Sequence, residues 1–321
     1  MRIGTVELCS PVIAAPLAGI SNPVYRLVCH EAGAGLTVSE MISDKALHYK
    51  NERTFDMCRV LEEEHPVSLQ LFGGDPDTMA EAAEYLSENT TCDIIDINMG
   101  CPVPKVLKSH AGSYLLKEPD LAVAIAKAVI THTNRPVTVK MRAGYDSEHI
   151  IAPELARRLE DVGVSAIAVH GRTRAQLYRG TSDNRYIRMV KEAVTIPVFG
   201  NGDIRTGSDA VRMIKETGCD GVMVGRGLVG KPWLIQEICS AMNGEPVESV
   251  SYETRILACK TYAEKLCAYE GEHTGISMMR GLASYYLDGM PYAAKVRAQC
   301  AQCDSLEELN SILDTYREEL A

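Results

Sequence analysis

The sequence lacks any apolar run that approaches the ~20 residues a helix needs to cross a bilayer. Residues 11–18 are the most apolar stretch near its start, but they are few and include two prolines, unlike a signal-peptide core. We therefore expect a cytoplasmic protein without membrane contact. In that compartment the eleven cysteines, odd in number and scattered in spacing, indicate reduced thiols rather than a disulfide framework.

The sequence also has no excess of positive charge and no metal-binding pattern. Lys and Arg total 33 against 43 Asp and Glu, a net charge of −10, which argues against indiscriminate binding to nucleic acid. The net charge does not exclude a local basic face, because contacts with phosphate depend on where the Lys and Arg side chains lie. The His, Asp and Glu residues show no metal-ligand spacing, and Cys300 and Cys303 form one pair without a second. We therefore predict no metal site.

What the sequence does contain is a repeated unit of a short apolar run followed by an amphipathic stretch. The runs are residues 12–17, 36–40, 67–71, 94–98, 137–141, 166–170, 198–201 and 221–225. Helical stretches between them are residues 24–32, 77–87, 119–132, 151–162, 182–193 and 206–216. This alternation predicts an α/β protein with a parallel sheet, and eight runs buried on both faces predict a closed TIM (β/α)8 barrel.

An open, doubly wound sheet is the alternative fold. It is less favoured because the runs number eight and no change in composition divides the first 230 residues. Residues 41–66 break the apolar pattern, and we predict a long surface connection there.

The pattern changes after Gly244. Four helical stretches follow, residues 252–269, 275–287, 292–301 and 306–320, and Ser305 and Glu308 have the spacing of a capping box. We predict a barrel domain over residues 1–245 and an all-α helical domain over residues 246–321.

The chemically distinctive residues stand where the apolar runs end. They are residues 16–19, 40, 70, 98–102, 140–142, 170–172, 201–203 and 225–227. Because all strands of a barrel point the same way, these positions meet at one rim, where barrel enzymes carry their chemistry. The sequence therefore predicts a single active site at that rim.

Three side chains at this rim are candidates for chemistry. Cys101 lies between a glycine that permits a sharp turn and a proline that stiffens it, so its thiol faces the rim; a lone cysteine otherwise packs as a small apolar group. Lys140 ends an apolar run and is costly to bury without a partner. His170 is followed by Gly171 and Arg172, which argues against a histidine in the core.

Two glycine-containing loops follow the last two runs, at residues 200–203 and 225–227. Barrels bind phosphate at this place through backbone N–H groups, although two tight turns that close the barrel would leave a similar pattern. Residues 225–230 also match G-x-G-x-x-G, but no further strand follows, so a dinucleotide-binding βαβ unit is not favoured.

Five segments, in order and spacing, resemble the tRNA-dihydrouridine synthases, and most closely their bacterial B-type branch. They are residues 15–22 (APLAGISN), 96–106 (DINMGCPVPKV), 140–144 (KMRAG), 170–174 (HGRTR) and 200–204 (GNGDI). The resemblance covers the whole chain, with mild departures at Leu17, Ser21 and Asn22, and with Gly281 where relatives often carry histidine. It implies an enzyme with bound FMN, reduced by NADPH, that reduces the 5,6 double bond of uridine in tRNA; no obligate protein partner is implied.

The resemblance also implies roles for particular residues. Cys101 would protonate C5 of the uracil while flavin N5 delivers hydride to C6, and Asn98 and Arg172 would lie near the base. Flavin contacts would come from Pro16, Leu17 and Ala18 along the ring, from Gln70, Lys140 and His170 at its pyrimidine side, and from Asn201, Gly202, Asp203, Gly225 and Arg226 at ribityl and phosphate.

The chemistry of the residues is consistent with these roles. A thiol with a pKa near ~8.5 is a competent proton donor at neutral pH. The target base has to leave the stack of the tRNA to reach a barrel rim, and the rest of the RNA would be held by phosphate contacts. Candidate cations for those contacts are Lys105, Lys108, Arg174, Arg179, Arg280, Lys295 and Arg297.

Two other functions stay open at this point. A flavin barrel that acts on a free pyrimidine, like dihydroorotate dehydrogenase, would share the loops but would not explain a helical domain with Arg280 and Arg297. A non-catalytic RNA-binding barrel is disfavoured because Cys101, Lys140 and His170 are all present.

Overall fold

The computed structural model describes residues 1–320, and its centre is a closed barrel of eight parallel strands. A short antiparallel hairpin, β1 (Arg2–Ile3) and β2 (Val6–Glu7), precedes the barrel. The barrel strands are β3 (Val12–Ala14), β4 (Leu36–Ser43), β5 (Val67–Phe72), β6 (Ile94–Met99), β7 (Val137–Arg142), β8 (Ala166–His170), β9 (Val198–Asn201) and β10 (Gly221–Val224).

Each barrel strand pairs with the next in the chain, and β10 closes the circle by pairing with β3, where Val222 lies opposite Val12. The prediction of a TIM barrel is confirmed, and the open-sheet alternative is wrong. The first barrel strand, β3, is shorter than the predicted run over residues 12–17, because it ends at Ala14. Pro16 has no N–H for a ladder, and the N–H of Leu17 donates to the Ser21 hydroxyl at 2.8 Å instead.

Alternation along the strands sorts apolar side chains into two cores. One core lies between the strands and the surrounding helices, and the other fills the lower barrel with side chains such as Ile13, Ile94 and Phe199. Ile3 and Leu8, from the hairpin and the residue after it, join the inner core and are almost fully buried. The amino-terminal end of the barrel is therefore plugged, which leaves the carboxyl end for a ligand.

Ten helices surround or follow the strands of the barrel. They are α1 (Pro23–Glu31), α2 (Asp44–His48), α3 (Glu52–Met57), α4 (Pro76–Asn89), α5 (Pro104–Lys108), α6 (Pro119–Thr131), α7 (Ala152–Asp161), α8 (Asn184–Ala193), α9 (Gly207–Thr217) and α10 (Leu234–Asn243). Local sequence starts several of them: Asn22 and Thr206 cap α1 and α9 through their side chains, and proline occupies the first turn of α1, α4, α5 and α6.

The connection predicted over residues 41–66 is present between β4 and β5, but it begins only after Ser43 and contains regular structure. Strand β4 continues to Ser43, and α2, α3 and a 3-10 turn at Glu62–Glu64 follow. Glu64 is fully buried, and its two carboxylate oxygens accept from the Arg26 guanidinium at 2.7 and 2.9 Å. These two hydrogen bonds offset the cost of burying the Glu64 charge. Arg26 lies 38 residues upstream of Glu64, so no local sequence pattern predicts the pair.

The four predicted C-terminal helices are present as α11 (Tyr252–Glu270), α12 (Glu272–Tyr286), α13 (Ala293–Cys300) and α14 (Leu306–Leu320). Ser305 accepts from the Glu308 N–H at 3.1 Å, but the Glu308 carboxylate returns to the N–H of Asp304 rather than to that of Ser305. The predicted domain boundary at residues 245–246 lies in the irregular stretch between α10 and α11.

These helices pack beside the carboxyl end of the barrel. Gly230, in the turn after β10, is so close to α12 that a Cβ there would lie 2.5 Å from the Tyr285 Cβ. Arg255 donates to the carbonyl oxygens of Tyr286 and Asp288 and lies over the ring of Trp233. Within residues 1–320, no helix has both the length and the apolar character needed to traverse a membrane.

Candidate active site

A pocket of about 500 Å³ opens at the carboxyl end of the barrel strands. This volume is typical of a small-molecule site. The sequence-predicted residues that line it are Pro16, Leu17, Ala18, Gln70, Asn98, Cys101, Lys140, His170, Arg172, Asn201, Gly202, Asp203, Gly225 and Arg226. Lys105, Arg280 and Arg297 lie outside the pocket.

A shallower groove of about 1260 Å³ adjoins the pocket and shares Gly202 and Asp203 with it. Arg179, Arg185 and Arg212 line this groove. The smaller pocket is the site of interest, because it holds the thiol of Cys101 and the other reactive groups.

Cys101 is held in a tightly bonded turn after β6. The Asn98 amide oxygen accepts from the backbone N–H groups of Gly100 at 3.1 Å and Cys101 at 2.9 Å. Ser113 donates to the Cys101 carbonyl oxygen through its N–H and its hydroxyl. Burial raises the pKa of the Cys101 thiol, against the lowering effects of the Val103 N–H and of Arg142 and Lys140. The thiol is therefore protonated at neutral pH and has a proton to give.

A chain of buried polar side chains crosses β5, β6 and β7 beneath the pocket. Thr138 Oγ1 donates to Asp96 Oδ1 at 2.6 Å, and Gln70 Nε2 donates to Asp96 Oδ2 at 2.6 Å. Asn98 Nδ2 in turn donates to Gln70 Oε1 at 2.8 Å. Burial raises the pKa of Asp96 to about 6, although Gln70, Thr138 and the charge of Lys140 oppose the shift. Asp96 was missed as a site residue, although a carboxylate within the run 94–98 already called for a partner.

The pocket is strongly electropositive. Burial, followed by the charges of Lys140, Arg142, Arg172 and Arg226, lowers the pKa of His170 to about 2, so the imidazole is neutral. Burial and then the charge of Arg142 lower the pKa of Lys140 to about 8, although Asp96 and Cys101 oppose the shift. At neutral pH Lys140 is still a cation, and the pocket suits an anionic ligand.

Arg172 clamps two loops together. Its guanidinium donates to both carboxylate oxygens of Asp203, at 2.9 and 2.8 Å, and to the carbonyl oxygens of Arg179 and Gly180. The fifth N–H approaches His170 Nε2, 3.4 Å from Arg172 NH1. All five N–H groups are thus directed at protein acceptors, so Arg172 holds the two loops together, and its predicted place near the base stays a prediction.

The two glycine-containing loops present backbone donors side by side. Gly202 and Asp203 have φ values of 132° and 52°, which direct their N–H groups away from the strand ladder. Across residues 1–320, no hydrogen bond uses the N–H of Gly202, Asp203, Arg226 or Gly227. A Cβ at Gly225 would lie 3.6 Å from Leu17 and 3.7 Å from Ala15, both residues of the pocket wall. This cradle fits a phosphate group beside Arg226.

The residue run 16–19 is fixed by two side chains. Ser21 accepts from the N–H of Leu17, and Glu40 Oε2 accepts from the N–H of Gly19 at 2.5 Å. Pro16, Leu17 and Ala18 form one wall of the pocket, and their place along a planar ring stays a prediction.

The structure adds lining residues that the sequence analysis did not assign. Arg142 is buried and donates to the Gly100, Thr173 and Leu177 carbonyl oxygens; its place at the end of the fifth run was the available signal. Tyr178 is 58% exposed, and its ring lies 5.6 Å from the Arg142 guanidinium and 5.0 Å from that of Arg226. Tyr178 stands in an irregular loop, where periodicity gives no signal. Tyr285 reaches the pocket from α12.

Comparison with known proteins identifies the family. A family model described as Dihydrouridine synthase (Dus) matches residues 12–320. The chain belongs to the dihydrouridine synthase family. This match confirms the resemblance seen in the sequence. It also supports the prediction that the protein is a flavin-dependent oxidoreductase.

Similar proteins cover nearly the whole of this dihydrouridine synthase. A probable tRNA-dihydrouridine synthase of Rickettsia bellii is 38% identical over 299 residues, 92% of this chain and 91% of that protein. tRNA-dihydrouridine synthase B of Xanthomonas axonopodis pv. citri is 38% identical, over 93% of this chain and 90% of that protein. Among solved structures, morphinone reductase in complex with tetrahydroNAD is similar in fold, with a TM-score of 0.55 and 14% identity over 79% of this chain and 92% of that one.

Proposed function

We propose that this dihydrouridine synthase reduces the 5,6 double bond of uridines in cytoplasmic tRNA, with bound FMN and with NADPH as the reductant. The observation that carries the proposal is the convergence of a protonated thiol, an ammonium and a neutral imidazole on one pocket beside a phosphate cradle. Similar proteins from Rickettsia and Xanthomonas that bear the name tRNA-dihydrouridine synthase support tRNA as the substrate.

The pocket residues fit FMN. The N–H groups of Gly202, Asp203 and Arg226 would hold its phosphate, with Gly225 leaving room and Asn201 near the ribityl chain. Pro16, Leu17 and Ala18 would lie along the ring, and Gln70, Lys140 and His170 would lie at its pyrimidine side. FMN, once reduced, supplies the hydride. The Lys140 ammonium would stabilise negative charge on a ring bound beside it, and the neutral His170 would add no charge.

Cys101 gives the proton that completes the reduction. The base would lie within reach of the thiol, with Asn98 donating to it. Hydride addition at C6 makes C5 basic, and the thiol proton goes to C5, so the double bond gains H⁻ and H⁺. The raised pKa of Cys101 keeps that proton in place until the base arrives.

The helical domain supports a substrate larger than a free pyrimidine. Tyr285 and Asp288, from α12 and the turn after it, line the mouth of the pocket together with Lys231. We place tRNA contacts at Lys105, Arg280 and Arg297: Lys105 is exposed just after Cys101, Arg280 holds Asp304, and Arg297 lies 3.9 Å from Asp288. These cations would bind phosphates while the extruded uridine enters the pocket.

The deciding variant is Cys101→Ala. We expect the purified variant to stay yellow with FMN and to lose dihydrouridine formation by about 10²–10⁴-fold, the contribution of a general acid. The measurement is mass-spectrometric quantification of dihydrouridine in tRNA, with Cys9→Ala as the control because Cys9 is exposed at the opposite end of the barrel.

Full turnover by Cys101→Ala would remove the acid from the proposal. Equal rates on free uracil and on tRNA would favour the free-pyrimidine enzyme, and a colourless wild-type protein that takes up no FMN would favour the non-catalytic barrel.

A further inference from the structure

We propose that Asp96 is a positioning residue of this reaction, which holds the Gln70 side-chain amide, and with it the Gln70–Asn98 pair, in the orientation that presents an N–H of each to the pocket. The inference rests on the proposed function, because that function assigns Gln70 to the cofactor and Asn98 to the base. Asp96 itself is 2% exposed and does not line the pocket.

The need for such a residue comes from the symmetry of an amide. A Gln or Asn side chain that turns by half a rotation exchanges its oxygen for its NH2 group with almost no change of shape. Packing alone therefore does not decide which end of Gln70 or Asn98 faces the pocket. A neighbour that can only accept or only donate is required.

Asp96 supplies an acceptor at one end of the chain. An ionised carboxylate cannot donate, so Gln70 has to direct Nε2 toward Asp96 Oδ2, as the 2.6 Å contact shows. The Gln70 oxygen then faces Asn98, and Asn98 has to direct Nδ2 toward it, at 2.8 Å. Thr138 donates to the second oxygen of Asp96, which leaves the carboxylate fully engaged.

At the other end of this row of hydrogen bonds, donors fix the orientation of the Asn98 amide in the same sense. The backbone N–H groups of Gly100 and Cys101 can only donate, and both meet the Asn98 oxygen. Each amide NH2 carries two hydrogens, and the chain uses one of them. Gln70 and Asn98, which both line the pocket, are each left with one N–H that has no partner, while the oxygen of each amide already accepts a hydrogen bond from within this row.

This polarity matches the ligands. Uracil and the pyrimidine part of FMN both carry carbonyl oxygens, which accept hydrogen bonds from an N–H and are repelled by an amide oxygen. Removal of the acceptor at Asp96 would leave Gln70 held only by the Asn98 Nδ2 contact and its own Nε2 without a partner. Rotation of Gln70, which turns its oxygen toward the pocket, would then cost less. The same chain ends on the N–H of Cys101, so a change at Asp96 also loosens the turn that carries the thiol.

Two substitutions separate orientation from charge. Asp96→Asn removes the charge but keeps an oxygen for Gln70 Nε2, because the new NH2 group can donate to Thr138, whose hydroxyl turns to accept. Asp96→Leu has a similar volume and offers no acceptor. Thr138→Val is the matched control, since it removes one hydrogen bond to Asp96 and leaves the carboxylate that orients Gln70.

The first measurement is FMN binding to the apoprotein by fluorescence quenching, with the visible spectrum of the bound flavin. We expect Asp96→Leu to weaken FMN binding by about tenfold and to shift the absorption bands of the bound flavin. A tenfold loss corresponds to about one hydrogen bond. Asp96→Asn and Thr138→Val should stay within about threefold of wild type. At saturating FMN, dihydrouridine formation should fall by about 10²-fold in Asp96→Leu, because a small misplacement of reacting groups is costly.

Equal losses in Asp96→Asn and Asp96→Leu would overturn the proposal, because charge and not orientation would then matter. Wild-type binding, spectrum and turnover in Asp96→Leu would overturn it as well. If Asp96→Leu does not fold, ¹⁵N spectra of selectively labelled wild-type apoprotein test the proposal. One side-chain amide hydrogen of Gln70 and one of Asn98 should be protected from exchange with solvent. Free exchange of both hydrogens of either amide would contradict the proposal. Wild-type dihydrouridine formation is measured first, and its absence would contradict the proposed function instead.

Discussion

Lys140 is a cation at the end of an apolar strand, and its surroundings make its charge depend on pH near neutrality. Burial lowers its pKa to about 8, while Asp96 beneath it and Cys101 beside it limit the shift. Its ordinary pKa is 10.5. Below about pH 8 the folded protein therefore holds an ammonium in the pocket, and above that pH the amine becomes neutral long before an exposed lysine would.

This shift predicts pH-dependent cofactor binding. We expect the affinity of the apoprotein for FMN to fall as the pH rises through about 8, because the pocket loses one positive charge. Lys140→Arg keeps its charge over this range, so its affinity should stay flat, whereas Lys105→Arg, at an exposed position, should retain the wild-type profile. Fluorescence titration between pH 7 and 9.5 is the measurement, and a flat wild-type profile would contradict the assignment.

The same residues show how far the sequence defines the site. Cys101, Lys140 and His170 were predicted because each stands where an apolar run ends, and the barrel brings such positions to one rim. The roles of Arg172 and Asp96 depend on contacts with Asp203, Gln70 and Thr138, from other parts of the chain. A pattern in one stretch shows that a buried charge needs a partner but not which residue supplies it.

At the scale of elements, the loop over residues 173–183 is held by two buried arginines rather than by regular structure. Arg142 donates to the Thr173 and Leu177 carbonyl oxygens, and Arg172 donates to those of Arg179 and Gly180. The strands and helices were predictable because their periodicity is local. This loop and the β4–β5 connection were not, because remote side chains decide their conformation.

Helix α12 carries two glycines with opposite environments, which predicts opposite effects of alanine. A Cβ at Gly281 would meet no atom within 4 Å, so Gly281→Ala should raise the free energy of unfolding by about 0.5–1 kcal/mol through helix propensity. A Cβ at Gly275 would lie 2.8 Å from the Cys267 Cα, so Gly275→Ala should lower it. Urea unfolding measures both, and destabilisation by Gly281→Ala would show that the exposed face of α12 is constrained.

At the scale of the whole molecule, the two ends of the barrel are treated differently. The β1–β2 hairpin plugs the amino-terminal end with Ile3, while the carboxyl end meets the helical domain at Gly230 and Tyr285. The pocket is therefore lined by both parts of the chain, and we expect substrate binding to depend on the angle between them.

We expect Gly230→Ala to disturb that angle. Its φ of 69° and the 2.5 Å approach to Tyr285 leave no room for a Cβ, so α12 would have to move. tRNA affinity and turnover should fall severalfold or more, while FMN binding stays close to wild type. Gly244→Ala is the matched control, because Gly244 has a similar φ of 73° and no atom within 4 Å of its Cβ position. Equal effects of the two variants on tRNA binding would show that the contact between Gly230 and α12 does not determine tRNA affinity.

The distribution of thiols gives the molecule a built-in reporter. Of the eleven cysteines, Cys9 is exposed at the plugged end, Cys101 and Cys239 are partly exposed, and the other eight are buried. Because the pKa of Cys101 is raised, alkylation at mildly alkaline pH, followed by peptide mass spectrometry, would read the pocket through Cys101 and use Cys9, at the far end, as an internal standard. Shielding of the first relative to the second would measure occupancy of the pocket in the unmodified protein, with no engineered label and no turnover.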